Sequence, residues 1–97
     1  MAPHGSRYHV PDRHLIWREW DDEHVIYHRA SGETHLLNAV AAATLRALER
    51  SALTLDELCE RIAAEFHADT PEAYRASLAS LLTYFDDLGL IRTASRS

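Results

Sequence analysis

Hydrophobic positions change period near residue 38 of this chain. Before it, the apolar residues fall in short β-favouring runs: Leu15, Ile16, Trp17 and Trp20, then Val25, Ile26 and Tyr27, then Thr34, His35, Leu36 and Leu37. The first run begins at His14 and is closed by the acidic cluster Asp21, Asp22 and Glu23. The second is followed by Ala30-Ser31-Gly32-Glu33, in which Ser31-Gly32 is a hairpin signal. Three short strands joined by tight connections predict an antiparallel meander with its first and third strands on the edges.

Beyond it the period is 3.6. Asn38 reads as the N-cap of a helix over Ala39 to Arg50, with Val40, Thr44, Leu45 and Leu48 on one side. Thr54 followed by Glu57 is a capping box opening a second helix, whose Leu55, Leu58, Cys59, Ile62 and Phe66 share a face and whose end is expected near His67. Thr70 as cap and Pro71 at the first helical position open the third helix, and Gly89 stops it. At 100° per residue its Tyr74, Leu78, Leu81, Leu82, Phe85 and Leu88 fall within an arc of about 120°. Leu90 and Ile91 are expected to pack back.

The predicted fold is therefore α+β: an N-terminal three-stranded antiparallel sheet followed by a three-helix, winged-helix-turn-helix-like bundle. Residues 1–13, with Pro3, Gly5 and Pro11 and no periodicity, are expected as a flexible lead-in, 14–91 as the domain, and 92–97 as a tail.

Composition narrows the chemistry. Ninety-seven residues, 46% hydrophobic and 26% charged, suit one soluble domain. All ten basic residues are arginine, so lysine Schiff-base chemistry and a phosphate-loop lysine are excluded. A net charge of -5 weighs against nonspecific attraction to nucleic acid or anionic membrane. No stretch approaches the length of a spanning helix, and a single cysteine at helical spacing fits a buried small hydrophobe in a reducing, cytoplasmic setting.

Catalysis and metal binding find little support. The serines sit in turns or the tail without a nucleophile elbow, and the pairs Asp21-Asp22 and Asp86-Asp87 read as a solvated turn and a helix end, so no enzyme activity and no cofactor is expected. Of seven histidines, His4, His9 and His14 lie in or beside the lead-in. His24, His28 and His35 belong to the hairpin, where a two-residue loop would set His28 opposite His35. No cysteine pair or His-Glu helix motif accompanies them, and no metal is expected. A winged-helix DNA-binding regulator is the alternative from fold alone, but residues 70–80 offer only Arg75 as a cation.

Several spaced elements together resemble the PqqD family of peptide chaperones, the recognition elements of ribosomally made and modified peptide pathways. They are Leu36-Leu37-Asn38 leading into an Ala-rich helix, Thr54-Leu55-Asp56-Glu57-Leu58, Ala64-Glu65-Phe66, and Leu81-Leu82 through Leu88-Gly89-Leu90-Ile91. The resemblance spans about Val25 to Ile91. Ser31 to Asn38 is most similar to the branch encoded beside an HPr-kinase-like protein, and less so to PqqD of quinone-cofactor biosynthesis.

This resemblance implies a noncatalytic adaptor that takes a precursor or leader peptide as an added strand and presents it to a modifying enzyme, either as a monomer or as a weak homodimer. Carried onto this chain, the receiving edge is Thr34, His35, Leu36 and Leu37, and the facing helix offers Tyr74, Leu78, Leu81 and Phe85. The residues leave plain core packing open for the helix positions, and a pure protein-protein adaptor to a kinase-like enzyme would use the same edge. Affinity near micromolar is expected, with an acidic surface, Arg29 and Arg75 aside, favouring basic residues on the peptide's rim.

Overall fold

Alternation before residue 38 and helical periodicity after it become two layers in a computed structural model that describes residues 6–11, 15–21 and 23–94. Strands β2 (Leu15–Trp20), β3 (Glu23–His28) and β4 (Glu33–Leu37) form an antiparallel sheet in the order β2-β3-β4. Helices α1 (Ala39–Arg50), α2 (Leu55–Glu65) and α3 (Arg75–Asp87) follow, with a 3₁₀ turn over Pro71–Tyr74 leading into α3. The expected α+β architecture is present. His4, His14 and Asp22 lie outside the described residues.

The caps stand where side-chain chemistry puts them. Asn38 Oδ1 accepts from the Ala41 N–H at 2.8 Å. Thr54 Oγ1 accepts from the Glu57 N–H at 3.1 Å, while Glu57 Oε1 accepts from the Thr54 N–H at 2.9 Å, a complete capping box. Arg7 donates to the same Glu57 oxygen at 2.7 Å. The Thr54 backbone bond first, and Arg7 with it, hold the Glu57 carboxyl below its ordinary range. A carboxylate lowered in the folded state contributes stability that is full above the unfolded value and lost as pH falls through the folded one. Urea midpoints of the native protein and Glu57→Gln are therefore expected to differ at neutral pH and to converge below the carboxylate range.

The C-terminal ends of α2 and α3 close in the same way. At the end of α3 the Leu90 N–H donates to Phe85 O at 2.9 Å and the Gly89 N–H to Asp86 O at 3.0 Å, with Gly89 at φ 78°. The end of α2 repeats the motif, Ala68 to Ala63 at 2.8 Å, but the left-handed position is His67 at φ 57°. A side chain is disfavoured there by about 1 kcal/mol or more. His67→Gly is expected to raise stability by about 0.5–1 kcal/mol, read as a higher denaturation midpoint.

Three expectations are corrected. Residues 7–9 and 92–94, expected as lead-in and tail, form strands β1 (Arg7–His9) and β5 (Arg92–Ala94), paired antiparallel with Tyr8 opposite Thr93. Tyr8 and Leu53 exchange backbone bonds of 2.8 and 3.0 Å, so β1, with β5 paired to it, is tied to the α1–α2 connection. The third helix does not start at Pro71: Thr70 makes no side-chain cap, and the segment up to Tyr74 is a 3₁₀ turn. The β3–β4 loop has four residues, with His28 paired to Glu33, so Ile26 and not His28 is the cross-strand partner of His35.

The core lies between the sheet's inner face and the helices. Ile26, Leu45, Leu48, Leu58, Cys59, Ile62, Leu78, Phe85, Leu90 and Ile91 have at most 1% of their surface exposed. Thr44 is equally buried and satisfies its hydroxyl on Val40 O at 2.8 Å. Arg46 stacks over the Trp17 ring, 4.4 Å from its centroid, and reaches Glu19 at 3.2 Å, while the Trp17 indole N–H donates to Glu49 at 2.7 Å. This cluster clamps β2 to α1.

Candidate functional site: an open strand edge

Among the described residues no strand pairs with the free side of β4. Its outward N–H and C=O groups are unsatisfied by the sheet and available to an extended chain. β2 has an open side too, but it carries Arg18 and Glu19 and is held by the Trp17 cluster. Charged side chains guard an edge against pairing. On β4 the one charged residue is Glu33, at the hairpin end.

Register decides what each β4 residue presents. Leu36 faces Val25 and Thr34 faces Tyr27 on the outer face. Leu36 is 69% exposed. His35 and Leu37 point to the inner face, where Leu37 is buried in the core. His35 is largely buried beside Ile26, its Nε2 without a hydrogen-bond partner and 3.8 Å from Glu33 Oε1. The hairpin before β4 is fastened by Ser31, whose Oγ accepts from the Glu33 N–H at 3.2 Å and lies 2.9 Å from His28 Nδ1. Val25 and Tyr27, which flank the edge residues, were not singled out from the sequence, because choosing them requires the register set by the four-residue loop.

The helix side is narrower than expected. Leu78 and Phe85 have 0% exposure and belong to the core, so in this state they offer no surface to a guest strand. Leu81 and Tyr74 remain partly exposed. Tyr74 sits on the 3₁₀ turn and packs against Phe66 at the end of α2, ring centroids 6.2 Å apart. Edge residues 34–37 thus lie on one strand, and of the helix residues expected to face them Leu81 and Tyr74 keep exposed surface while Leu78 and Phe85 do not.

Rival chemistries gain nothing from the geometry. Burial pushes the Cys59 thiol above its ordinary range, as suits an inert core residue. Arg75 is held by Glu72 at 2.9 Å and by Asp56, so its charge is spent within the fold instead of facing a phosphate backbone. Among the described residues no group of three or more His, Cys, Asp or Glu is placed to hold a metal, and no helix is long and apolar enough to cross a membrane.

A solved structure described as "TbiB1 in Complex with the TbiA(beta) Leader Peptide" superposes with a TM-score of 0.67 over 88% of this chain and 96% of that one, at 22% sequence identity. A likeness at that identity is one of fold. No curated protein matches in sequence. Residues 23–91, well over half of the chain, match the family described as Coenzyme PQQ synthesis protein D (PqqD). With the sheet, the three helices and the sequence match in agreement, the chain belongs to the PqqD family.

Proposed function

We propose that this protein is a noncatalytic peptide chaperone that takes a leader peptide as a fourth strand on β4 and presents it to a modifying enzyme. The observation that carries the reading is the open β4 edge with Leu36 standing 69% exposed upon it. Main-chain bonds to β4 supply affinity that any extended peptide can earn, and side chains beside the strand select among peptides. Thr34, His35, Leu36 and Leu37 form the receiving edge, with Leu81 and Tyr74 as the wall on the helix side. Membership of the PqqD family supports this, as does a structural neighbour solved with a leader peptide.

The test is a titration of a labelled leader peptide, encoded beside the gene, followed by fluorescence anisotropy and by amide shifts. Saturation near micromolar with shifts centred on residues 33–37 is expected. Saturable binding that leaves those amides unmoved rules out the edge, and no binding at about a hundredfold higher concentration rules out the peptide.

An HPr-kinase-like enzyme is the partner to try first, on the resemblance read from Ser31 to Asn38 alone, since the family match itself extends only to PqqD. If that enzyme is captured without peptide, and its capture survives substitution of Leu36, the protein is an enzyme adaptor and not a peptide carrier.

A further inference from the structure

Where β2 turns into β3 the sequence reads Glu19-Trp20-Asp21-Asp22-Glu23, four acids and one tryptophan in five positions. Trp20 stands opposite Glu23, and Glu19 opposite His24. Glu19, Trp20, Asp21, Glu23 and His24 line an open recess of about 540 Å³. Trp20 is 73% exposed, more than any other large apolar side chain among the described residues. It takes no part in the core, whereas Trp17, three residues earlier, packs against the core and is held by Arg46 and Glu49. Exposed tryptophan of this kind is concentrated at binding surfaces.

The charges around Trp20 are unbalanced. Arg46 reaches Glu19 at 3.2 Å, but it comes from α1, stacks on Trp17 and does not line the recess. Arg18 does not line it either. Among the described residues neither Asp21 nor Glu23 has an ion-pair partner. His24 Nδ1, shielded from solvent, has no hydrogen-bond partner and lies 3.7 Å from Glu19 Oε1. The recess therefore offers an aromatic face, the uncompensated carboxylates of Asp21 and Glu23, and an unpartnered ring nitrogen.

We infer that this corner is a second binding site, which receives an arginine-bearing segment of a partner protein. A guanidinium is planar, stacks on an aromatic face and donates its N–H groups in a rigid fork that matches carboxylates. A lysine ammonium, compact and strongly hydrated, gains less from the ring. Free arginine is disfavoured, because its own carboxylate meets the acidic rim, whereas a residue within a chain carries none there. A second copy of this chain brings the same acids, and nucleic acid or an anionic membrane is repelled by them as well. The recess belongs to β2 and β3, while the free side of β4 faces away from both, so a segment seated here leaves that edge open. The inference stands or falls apart from the leader-peptide reading.

The test is an NMR titration of the full, isotope-labelled chain with a tetra-arginine amide at about 0.15 M salt, with tetra-lysine amide and free arginine beside it. The two tryptophans report separately through their indole N–H signals. The Trp20 signal is expected to shift and saturate with a Kd of about 0.1–1 mM, together with amides in 19–24, while Trp17, already bonded to Glu49, stays still. Tetra-lysine and free arginine are expected to bind at least about fivefold more weakly. Trp20→Ala removes no core contact, and it and the pair Asp21→Asn with Glu23→Gln are each expected to weaken tetra-arginine about tenfold or more. Asp86→Asn with Asp87→Asn removes the same charge at the end of α3 and is expected to change nothing. Equal weakening by that second pair, equal binding of tetra-lysine, shifts scattered over the surface, or no saturation by about 10 mM overturns the proposal. Leader-peptide affinity of Trp20→Ala is expected to match the native value. A loss there overturns the separate partner and joins this corner to the leader's own site.

Discussion

Leu36→Asp is expected to weaken leader-peptide binding by about ten- to a hundredfold, equivalent to about 1.4–2.8 kcal/mol, while leaving the thermal midpoint within about 2 °C of the native one. Both halves follow from where Leu36 stands. With 69% of its surface in solvent it contributes little to folding, and surface substitutions away from special features usually change stability by about 0.5 kcal/mol or less. A guest strand on β4 would bring its own side chains against Leu36, and a carboxylate there must be desolvated without a partner. Anisotropy titration beside a melting curve reads both quantities. Unchanged affinity in a folded Leu36→Asp protein would remove β4 from the binding site.

Phe85→Ala has the opposite signature. The ring has no exposed surface and lies among Leu78, Leu82, Leu90 and Ile91 in the same core cluster. Its truncation is expected to cost about 3–5 kcal/mol, from lost burial together with the cavity left behind. Against a total of about 5–15 kcal/mol for a domain, this is a large share, and the thermal midpoint is expected to fall by roughly 15–30 °C. Denaturant unfolding at 25 °C measures the loss directly. Peptide affinity, measured cold where the variant remains folded, is expected to change far less than in Leu36→Asp, because Phe85 has no exposed surface to offer a guest. A Phe85→Ala protein of native stability that lost its peptide would return Phe85 to the groove.

These two substitutions also mark where a reading of sequence stops. The spacing of Leu78, Leu81, Leu82 and Phe85 identifies a helix face that turns inward, and it does turn inward. Spacing alone does not distinguish a wall that a guest can touch from the core behind it, since both are apolar at the same period. Leu81 kept some exposed surface and Phe85 kept none, a difference set by what packs on α3 from the rest of the chain. Thr34 to Leu37 were legible as a strand at the end of a meander. Which residues stand opposite them was not, because a loop of four residues rather than two shifts the pairing by two positions, which keeps the faces and changes the partners.

Local chemistry therefore determined the helices. Asn38, the Thr54–Glu57 box and Gly89 act through bonds to backbone groups a few residues away, so their effect is written in a short window of sequence. The pairing of β1 with β5 was decided by tertiary structure, since it joins residues far apart in sequence, as does the Tyr8–Leu53 bridge beside it. The same holds for the apolar outer face of the sheet and for the isolation of Leu36 from the core. Hydrogen bonds within one turn can be inferred from neighbouring residues, whereas the exposure of a side chain depends on every segment that comes to lie near it.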